Sequence, residues 1–381
     1  MASLYLHIPF CEHKCIYCDF YSIEALDPME SFLVALREEI GMYGHYKSSF
    51  ETIFFGGGTP SLLSPATVRE LIGLLRETFD IEKDAEITLE TNPGTVDERK
   101  LAGYREAGIN RLSFGVQSFH DDDLKFLTRI HSSAQAREVI RTAERAGFDN
   151  TNLDLIFALP GQTMERWRRN LEDAVELGTK HISAYSLIVE KNTPLHRMVH
   201  SGEVATLPIG IEAEMYVMTM EFLAARGFEH YEVSNYAKPG YHSRHNCNYW
   251  NHADYLGFGP SAHSYWGGKR WWNFSNIRGY GEKIALREYP VAEKEILTKD
   301  QLFDETVMLG LRSGGVDMKR LKQEFGVDFA EMCGSVLSGL FEEKLAKVEL
   351  QKLRLTDKGF LLCDEITQRL LAAVEMPAVG T

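Results

Sequence analysis

Three cysteines fall within eight residues, in the run Cys11-Glu12-His13-Lys14-Cys15-Ile16-Tyr17-Cys18, just after the first apolar stretch of the chain. Soft thiolates held close together on one tight loop suit an iron–sulfur cluster. A cubane cluster has four irons, so three thiolates leave one iron without a protein ligand. That iron can take the amine and the carboxylate of a small molecule. Two other readings of the triplet stand beside this one: a zinc site completed by His7 or His13, and buried, inert thiols. A second constellation lies far along the chain, Arg244-His245-Asn246-Cys247-Asn248-Tyr249-Trp250. Taken alone, His245 reads most simply as a hydrogen-bonding histidine of a loop-rich region.

The elements that must position these residues alternate along the first half. Residues 3–10, 51–55, 86–90, 111–116, 152–159 and 181–189 read as strands. Residues 28–43, 65–79, 98–106, 133–146 and 163–177 read as helices between them, with glycine or proline at the stops. Six strand–helix units in a row predict parallel pairing with right-handed crossovers. They are too few for an eight-stranded barrel, so the expected class is α/β, an open or partial (β/α)6 barrel. In such sheets chemistry sits at the carboxyl ends of the strands. The cysteine triplet follows the first strand, and Gly56-Gly57-Gly58-Thr59-Pro60 ends the second, where glycines let backbone approach a ligand.

The second half changes character. Residues 212–226 read as a helix, and 228–274 are rich in aromatics, His, Asn and Gly with little periodicity. From about residue 297 the chain turns helical, with a short strand pair at 346–356 and a helix at 359–373. These shifts divide the chain into a core domain at 1–230, an aromatic and histidine-rich segment at 231–295, and a smaller, mainly helical, winged-helix-like C-terminal domain at 296–381.

Bulk properties bound the function. Hydrophobic residues make up 44% and charged residues 25% of the 381, enough for a real core. A net charge of −14 argues against a nucleic-acid partner, although a local basic pocket can still take an anion. The six cysteines do not form a dense disulfide framework. No basic n-region opens the chain and no apolar run reaches the roughly 18 residues of a bilayer span. A cytoplasmic location is therefore expected, with membrane contact at most peripheral.

The motifs together resemble the radical S-adenosylmethionine (SAM) superfamily, and more closely the branch that contains oxygen-independent coproporphyrinogen III oxidase. They occur in order at the strand ends: Leu4-Tyr5-Leu6-His7-Ile8-Pro9-Phe10-Cys11, Gly56–Pro60, Glu90-Thr91-Asn92-Pro93, Gly115-Val116-Gln117-Ser118-Phe119 and Asn152-Leu153-Asp154-Leu155-Ile156. The resemblance implies a radical SAM barrel in which Cys11, Cys15 and Cys18 hold a [4Fe-4S] cluster and SAM binds the open iron. It implies that Tyr5 packs near the cluster and that Gly57, Gly58 and Thr59 line the SAM amino group. Glu90 would bind the ribose or nearby groups of SAM, Gln117 and Asp154 the ribose hydroxyls, and Arg129 the carboxylate. An electron from the cluster could then cleave the sulfonium to a 5′-deoxyadenosyl radical.

Two departures separate the chain from the oxidase. No cysteine follows two positions after Cys18, where Asp19-Phe20 stands, and only ten residues precede Cys11. Both features resemble the sister family of haem chaperones, HemW, as does the run His245-Asn246-Cys247-Asn248-Tyr249-Trp250. That resemblance implies haem as cargo, with His245 as axial ligand, Tyr249 and Trp250 as aromatic walls, and Arg244 on a propionate. Cys247 reads as a small packed hydrophobe, and His242, His252 and His263 are further candidate ligands. The implied function is delivery of haem to apo haemoproteins, membrane respiratory enzymes among the candidates, with room for a homodimer. The alternative is the oxidase activity itself, a SAM-dependent radical decarboxylation of a porphyrinogen.

Overall fold

A computed structural model describes residues 2–374. Twelve strands form one open sheet: β1 (Ala2–Ile8), β2 (Ser49–Gly57), β3 (Asp80–Thr91), β4 (Arg111–Gln117), β5 (Thr151–Phe157), β6 (His181–Ser186), β7 (Glu229–Glu232), β8 (Asn235–Ala237), β9 (Tyr255–Phe258), β10 (His263–Trp266), β11 (Lys269–Asn273) and β12 (Val291–Ile296). Their order is β12-β11-β10-β9-β1-β2-β3-β4-β5-β6-β8-β7. The first six strands run parallel in sequence order, as six consecutive crossover units require. The sheet does not close, so the expected partial (β/α)6 barrel stands.

Local signals account for the crossover helices. In Pro65–Thr78, Ser64 caps the first turn by accepting from the Thr67 amide, and Pro65 sits at the first helical position. Val68, Leu71, Ile72 and Leu75 of that helix are buried at helical spacing. Ser132 and Gln135 form a reciprocal capping box at the start of Ser133–Arg145. Gly108, at φ +107°, ends Glu98–Ala107 in the left-handed conformation that glycine adopts without penalty.

The period-two alternation of the strands gives the sheet two unlike faces. Leu4, Leu6 and Ile8 of β1, Ile53 and Phe55 of β2, and Leu112, Phe114 and Val116 of β4 are buried in the main apolar core. The other face is polar, carrying Ser3, Tyr5 and His7, Thr52, Glu86 and Glu90, Arg111 and Ser113, Asn152 and Asp154, and His181 and Ser183. A continuous apolar strand is the rule when both faces of a parallel sheet are covered by helices. Here the concave face is kept for polar groups.

The segment at 231–295 is not the irregular stretch its sequence suggests. It supplies the strands β7 to β12, and β9 pairs parallel to β1 as a seventh parallel strand. These strands are only 3–6 residues long, too short to show a period. Glu39, fully buried on the helix Met29–Met42, holds this segment in place. It accepts hydrogen bonds from the Gly259 amide at 2.7 Å, the Asn273 side chain at 2.6 Å and the Tyr280 hydroxyl at 2.7 Å.

The C-terminal part has its own core, with Phe303, Val307, Leu321, Leu340, Ile366 and Leu370 among its buried residues. Three strands, β13 (Val316–Asp317), β14 (Ala346–Glu349) and β15 (Lys352–Leu355), form an antiparallel sheet against short helices. The expected helix at 359–373 is two, Asp357–Phe360 and Cys363–Ala372, because Leu362 leaves the helical backbone at φ −117° and ψ 21°. Among the described residues no helix is long and apolar enough to cross a membrane.

Burial pushes the Glu39 carboxyl up to about 7, against the bonds from Gly259, Tyr280 and Asn273 that favour its ionised form. A raised carboxyl contributes stability that is complete below its unfolded pKa and drains as pH rises through the folded one. Glu39→Ala is therefore expected to lower the unfolding free energy by about 3 kcal/mol at pH 5, since it strands three buried donors. The deficit relative to the unsubstituted protein should shrink by up to about 1.4 kcal/mol per pH unit between pH 5 and 7. Urea unfolding across that range measures it, and a deficit that grows with pH would contradict the account.

Candidate functional site

The carboxyl ends of β1 to β5 form one rim, and the cysteine loop lies on it. Cys11 and Cys15 are buried and Cys18 is half-buried, and all three are free thiols. Burial, together with the nearby Cys15 and Cys11, pushes the Cys18 thiol up to about 11, so the three sulfurs sit within electrostatic reach of one another. Among the described residues no three Cys, His, Asp or Glu side chains converge on a single ion.

The glycine run explains how the loop is held. The Gly58 amide donates to the Ile8 carbonyl at 2.9 Å, and the Thr59 amide to the Phe10 carbonyl at 2.7 Å. Thr59 Oγ1 also lies 3.5 Å from Cys11 Sγ. A Cβ on Gly58 would fall 2.6 Å from the Phe10 carbonyl oxygen, and one on Gly57 would fall 2.7 Å from the His7 ring. The amides of 58 and 59 are thus committed to the cysteine loop. What this run can offer an ammonium group is carbonyl oxygen.

The other residues singled out in the sequence surround the same rim. Glu90 accepts from the Gly57 amide at 3.2 Å. Burial, and then the facing Asp154, push its carboxyl up to about 8. Asp154 accepts from Ser113 Oγ at 3.0 Å and Asn152 Nδ2 at 2.9 Å, and burial raises it as well. Two neighbouring carboxyl groups, both with raised proton affinity, can hydrogen-bond hydroxyls of a ligand. Arg129 donates to Cys15 Sγ at 3.3 Å and to the Gly115 carbonyl at 2.6 Å, while its buried Nε has no partner. That orphan N–H beside Cys15 suits a carboxylate. Gln117 ends β4 at φ +67°, a strained position for a side chain of this type, and its amide and the Arg129 guanidinium flank Gly115. Tyr5 stacks on Phe54 and lies against Gly56, with its hydroxyl 3.1 Å from His7 Nδ1. The donor set fits a cluster with SAM beside it.

Arg111 escaped the sequence reading. It is 2% exposed on the concave face, its Nε is unpartnered, and its charge opposes the upward shifts of Glu90 and Asp154. A charged residue at an inward strand position was its only signal. Beside it runs a chain of hydrogen bonds, from His181 Nδ1 to Asn152 Oδ1 at 2.6 Å and from Asn152 Nδ2 to Ser113 Oγ at 2.7 Å.

The structure places His245, expected as an axial haem ligand, on the helix Arg244–Trp250. The helix Arg244–Trp250 stoppers the concave face at the amino ends of the strands, away from the rim. Glu86 accepts from the amides of Arg244 and His245, both at 3.1 Å, and Asn248 donates to Ser3 Oγ at 2.7 Å. His245 is 1% exposed, with Nδ1 2.7 Å from Thr52 Oγ1 and Nε2 2.9 Å from the Tyr249 hydroxyl. Both ring nitrogens are spent, and burial, helped by Arg111, brings its pKa down to about 3. Arg244, expected on a propionate, pairs with Glu51 at 3.2 Å and the Asp84 carbonyl at 2.8 Å. Trp250 is half-buried and stands outside the main cavity. Cys247 is half-buried, its thiol pushed up to about 11 chiefly by burial, in keeping with a packed side chain.

That cavity, of about 590 Å³, opens beside the rim between β1, β9, β10 and the helix Lys299–Leu311. Tyr5, His7, Tyr249, His252 and His263 are among the residues that line it. His242 is elsewhere, bonded to Glu229 at 2.8 Å.

Comparison with known proteins agrees with this architecture. Residues 5–174 match the Radical SAM superfamily, and residues 297–362 match the HemN C-terminal domain. The chain is 38% identical over 374 residues to the heme chaperone HemW of Bacillus subtilis, covering 96% of this chain and 98% of that one. It is 36% identical over 371 residues to the heme chaperone HemW of Lactococcus lactis, covering 97% of each. The solved structure of coproporphyrinogen III oxidase (HemN) from Escherichia coli, a radical SAM enzyme, superposes with a TM-score of 0.84 at 25% identity, over 98% of this chain and 90% of that one. The chain belongs to the radical SAM superfamily and, within it, to the HemW family.

His245→Ala should cost about 2–4 kcal/mol of stability, because it opens a buried hole and leaves the Thr52 and Tyr249 hydroxyls without their shared partner. Denaturant unfolding checks this, and a loss below about 0.5 kcal/mol, typical of surface changes, would contradict the stopper role.

Proposed function

We propose that this protein is a haem chaperone, which holds a [4Fe-4S] cluster and SAM at the rim, carries haem in the adjoining cavity and delivers it to apo haemoproteins. Cys11, Cys15 and Cys18 would hold the cluster. Tyr5, Gly57, Gly58, Thr59, Glu90, Gln117, Arg129 and Asp154 would surround SAM. When bound, the cluster supplies a low-potential electron and the open iron that anchors SAM. The chain's own residues then bind and orient. Arg129 would meet the SAM carboxylate through its orphan Nε, the carbonyls of the glycine run would take the ammonium, and Asp154 and Gln117 would hold the ribose.

The observation that carries the haem reading is the cavity itself. Its volume of about 590 Å³ suits a ligand of haem's size, and its walls combine tyrosines, histidines and apolar side chains. The curated relatives named haem chaperones lend the same support. A second reading is favoured by the superposition on coproporphyrinogen III oxidase, namely porphyrinogen decarboxylation at the same rim.

An anaerobic titration of cluster-reconstituted protein with haemin, followed at the Soret band, tests the two. The chaperone reading expects saturable binding near one haem per chain and no turnover of coproporphyrinogen with SAM and reductant. Porphyrinogen turnover without saturable haem binding would overturn it in favour of the oxidase.

A further inference from the structure

Building on the chaperone reading of this protein, we propose that His263 is the axial ligand that holds the iron of the cargo haem in the cavity beside the rim. The argument is one of elimination followed by fit. Three histidines line the cavity, His7, His252 and His263. His7 has Nδ1 3.1 Å from the Tyr5 hydroxyl and Nε2 2.8 Å from the Tyr21 carbonyl, so neither nitrogen is available to a metal. His252 lies 3.1 Å from Glu305 through Nε2 and is stacked on Tyr265 at 4.4 Å, with its side chain only 10% exposed. His263 is exposed, and no described residue makes a hydrogen bond to its ring.

The ring is nonetheless held. His263 and Trp272 face each other across the β10–β11 pair, and their rings stack at 5.6 Å and 24°. Such cross-strand aromatic pairing fixes the direction of an exposed side chain. Burial of part of the ring, and then Arg270, lower the proton affinity of the imidazole, the direction that favours metal ligation.

The surrounding wall matches a flat apolar macrocycle. Phe20, 63% exposed on the cysteine loop, Tyr21 on one side, and Met308 and Leu309 on the helix Lys299–Leu311 supply faces that a tetrapyrrole can cover. The placement also couples the two sites. Burial first, and then His263, lower His7 to about 4 against the bond to Tyr21, and His7 in turn packs on Gly57. Iron bound by His263 would stand next to the residues assigned to SAM.

The test uses full-length, cluster-reconstituted protein and haemin. His263→Ala is expected to bind haem roughly tenfold or more weakly and to lose the imidazole-ligated Soret position, with free imidazole restoring that position. His252→Ala, in the same cavity, is expected to keep the spectrum of the unsubstituted protein. Circular dichroism and iron content check that both variants are folded. An unchanged spectrum and affinity in His263→Ala would overturn the ligand assignment while leaving the chaperone reading intact. Absence of haem binding by the unsubstituted protein would overturn both.

Discussion

The structure depends on the carboxylate of Glu86 meeting the first two amides of the helix Arg244–Trp250. An open parallel sheet with a polar concave face carries donors and acceptors that must all find partners, since an unmatched buried polar group costs about 1–3 kcal/mol. The stopper helix closes that face from below. Its His245 and Asn248 engage Thr52 and Ser3, so the floor is bonded to β1, β2 and β3 at once. With the floor closed, the polar ladder above it, from Arg111 and Ser113 to Asp154 and Glu90, is shielded from below, and burial raises both of its carboxyl groups.

The rim above that ladder is organised by backbone rather than by side chains. Gly58 and Thr59 tie the cysteine loop to the end of β2, and the absence of a Cβ at 57 and 58 lets His7 and the Phe10 carbonyl come close. The cysteines, the orphan Nε of Arg129 and the raised carboxyls therefore share one edge of the sheet. The neighbouring cavity exists because β9 adds to the far side of β1 and carries β10 and β11 with it, while Glu39 pins that extension to the helix Met29–Met42. In the proposed function, proximity to the rim is what would let SAM and cluster state influence a bound haem.

Much of this was legible in the sequence. Six apolar runs separated by amphipathic helices with glycine stops are a strong signature, because each strand had an apolar face to bury and each helix a capped start. The rim residues were legible through motif order at strand ends. The aromatic and histidine-rich segment was not, because its strands are too short to display a period and owe their pairing to β1 and Glu39, far away in sequence. The surroundings of His245 were hidden for a related reason. An imidazole between aromatics has the composition of a haem contact, and only the positions of Thr52 and the Tyr249 hydroxyl, 193 and 4 residues away, show its nitrogens to be occupied. The alternation of polar and apolar residues in β3, β4 and β5 did carry a signal for the polar concave face, and hence for Arg111.

The most direct test of the central claim, that the rim holds a cluster with an iron open to SAM, is electron paramagnetic resonance of the anaerobically reconstituted and reduced protein with and without SAM. The account predicts about four irons per chain and a reduced-cluster signal that changes when SAM is added. A signal unaltered by saturating SAM, or a chain that retains no iron, would contradict it.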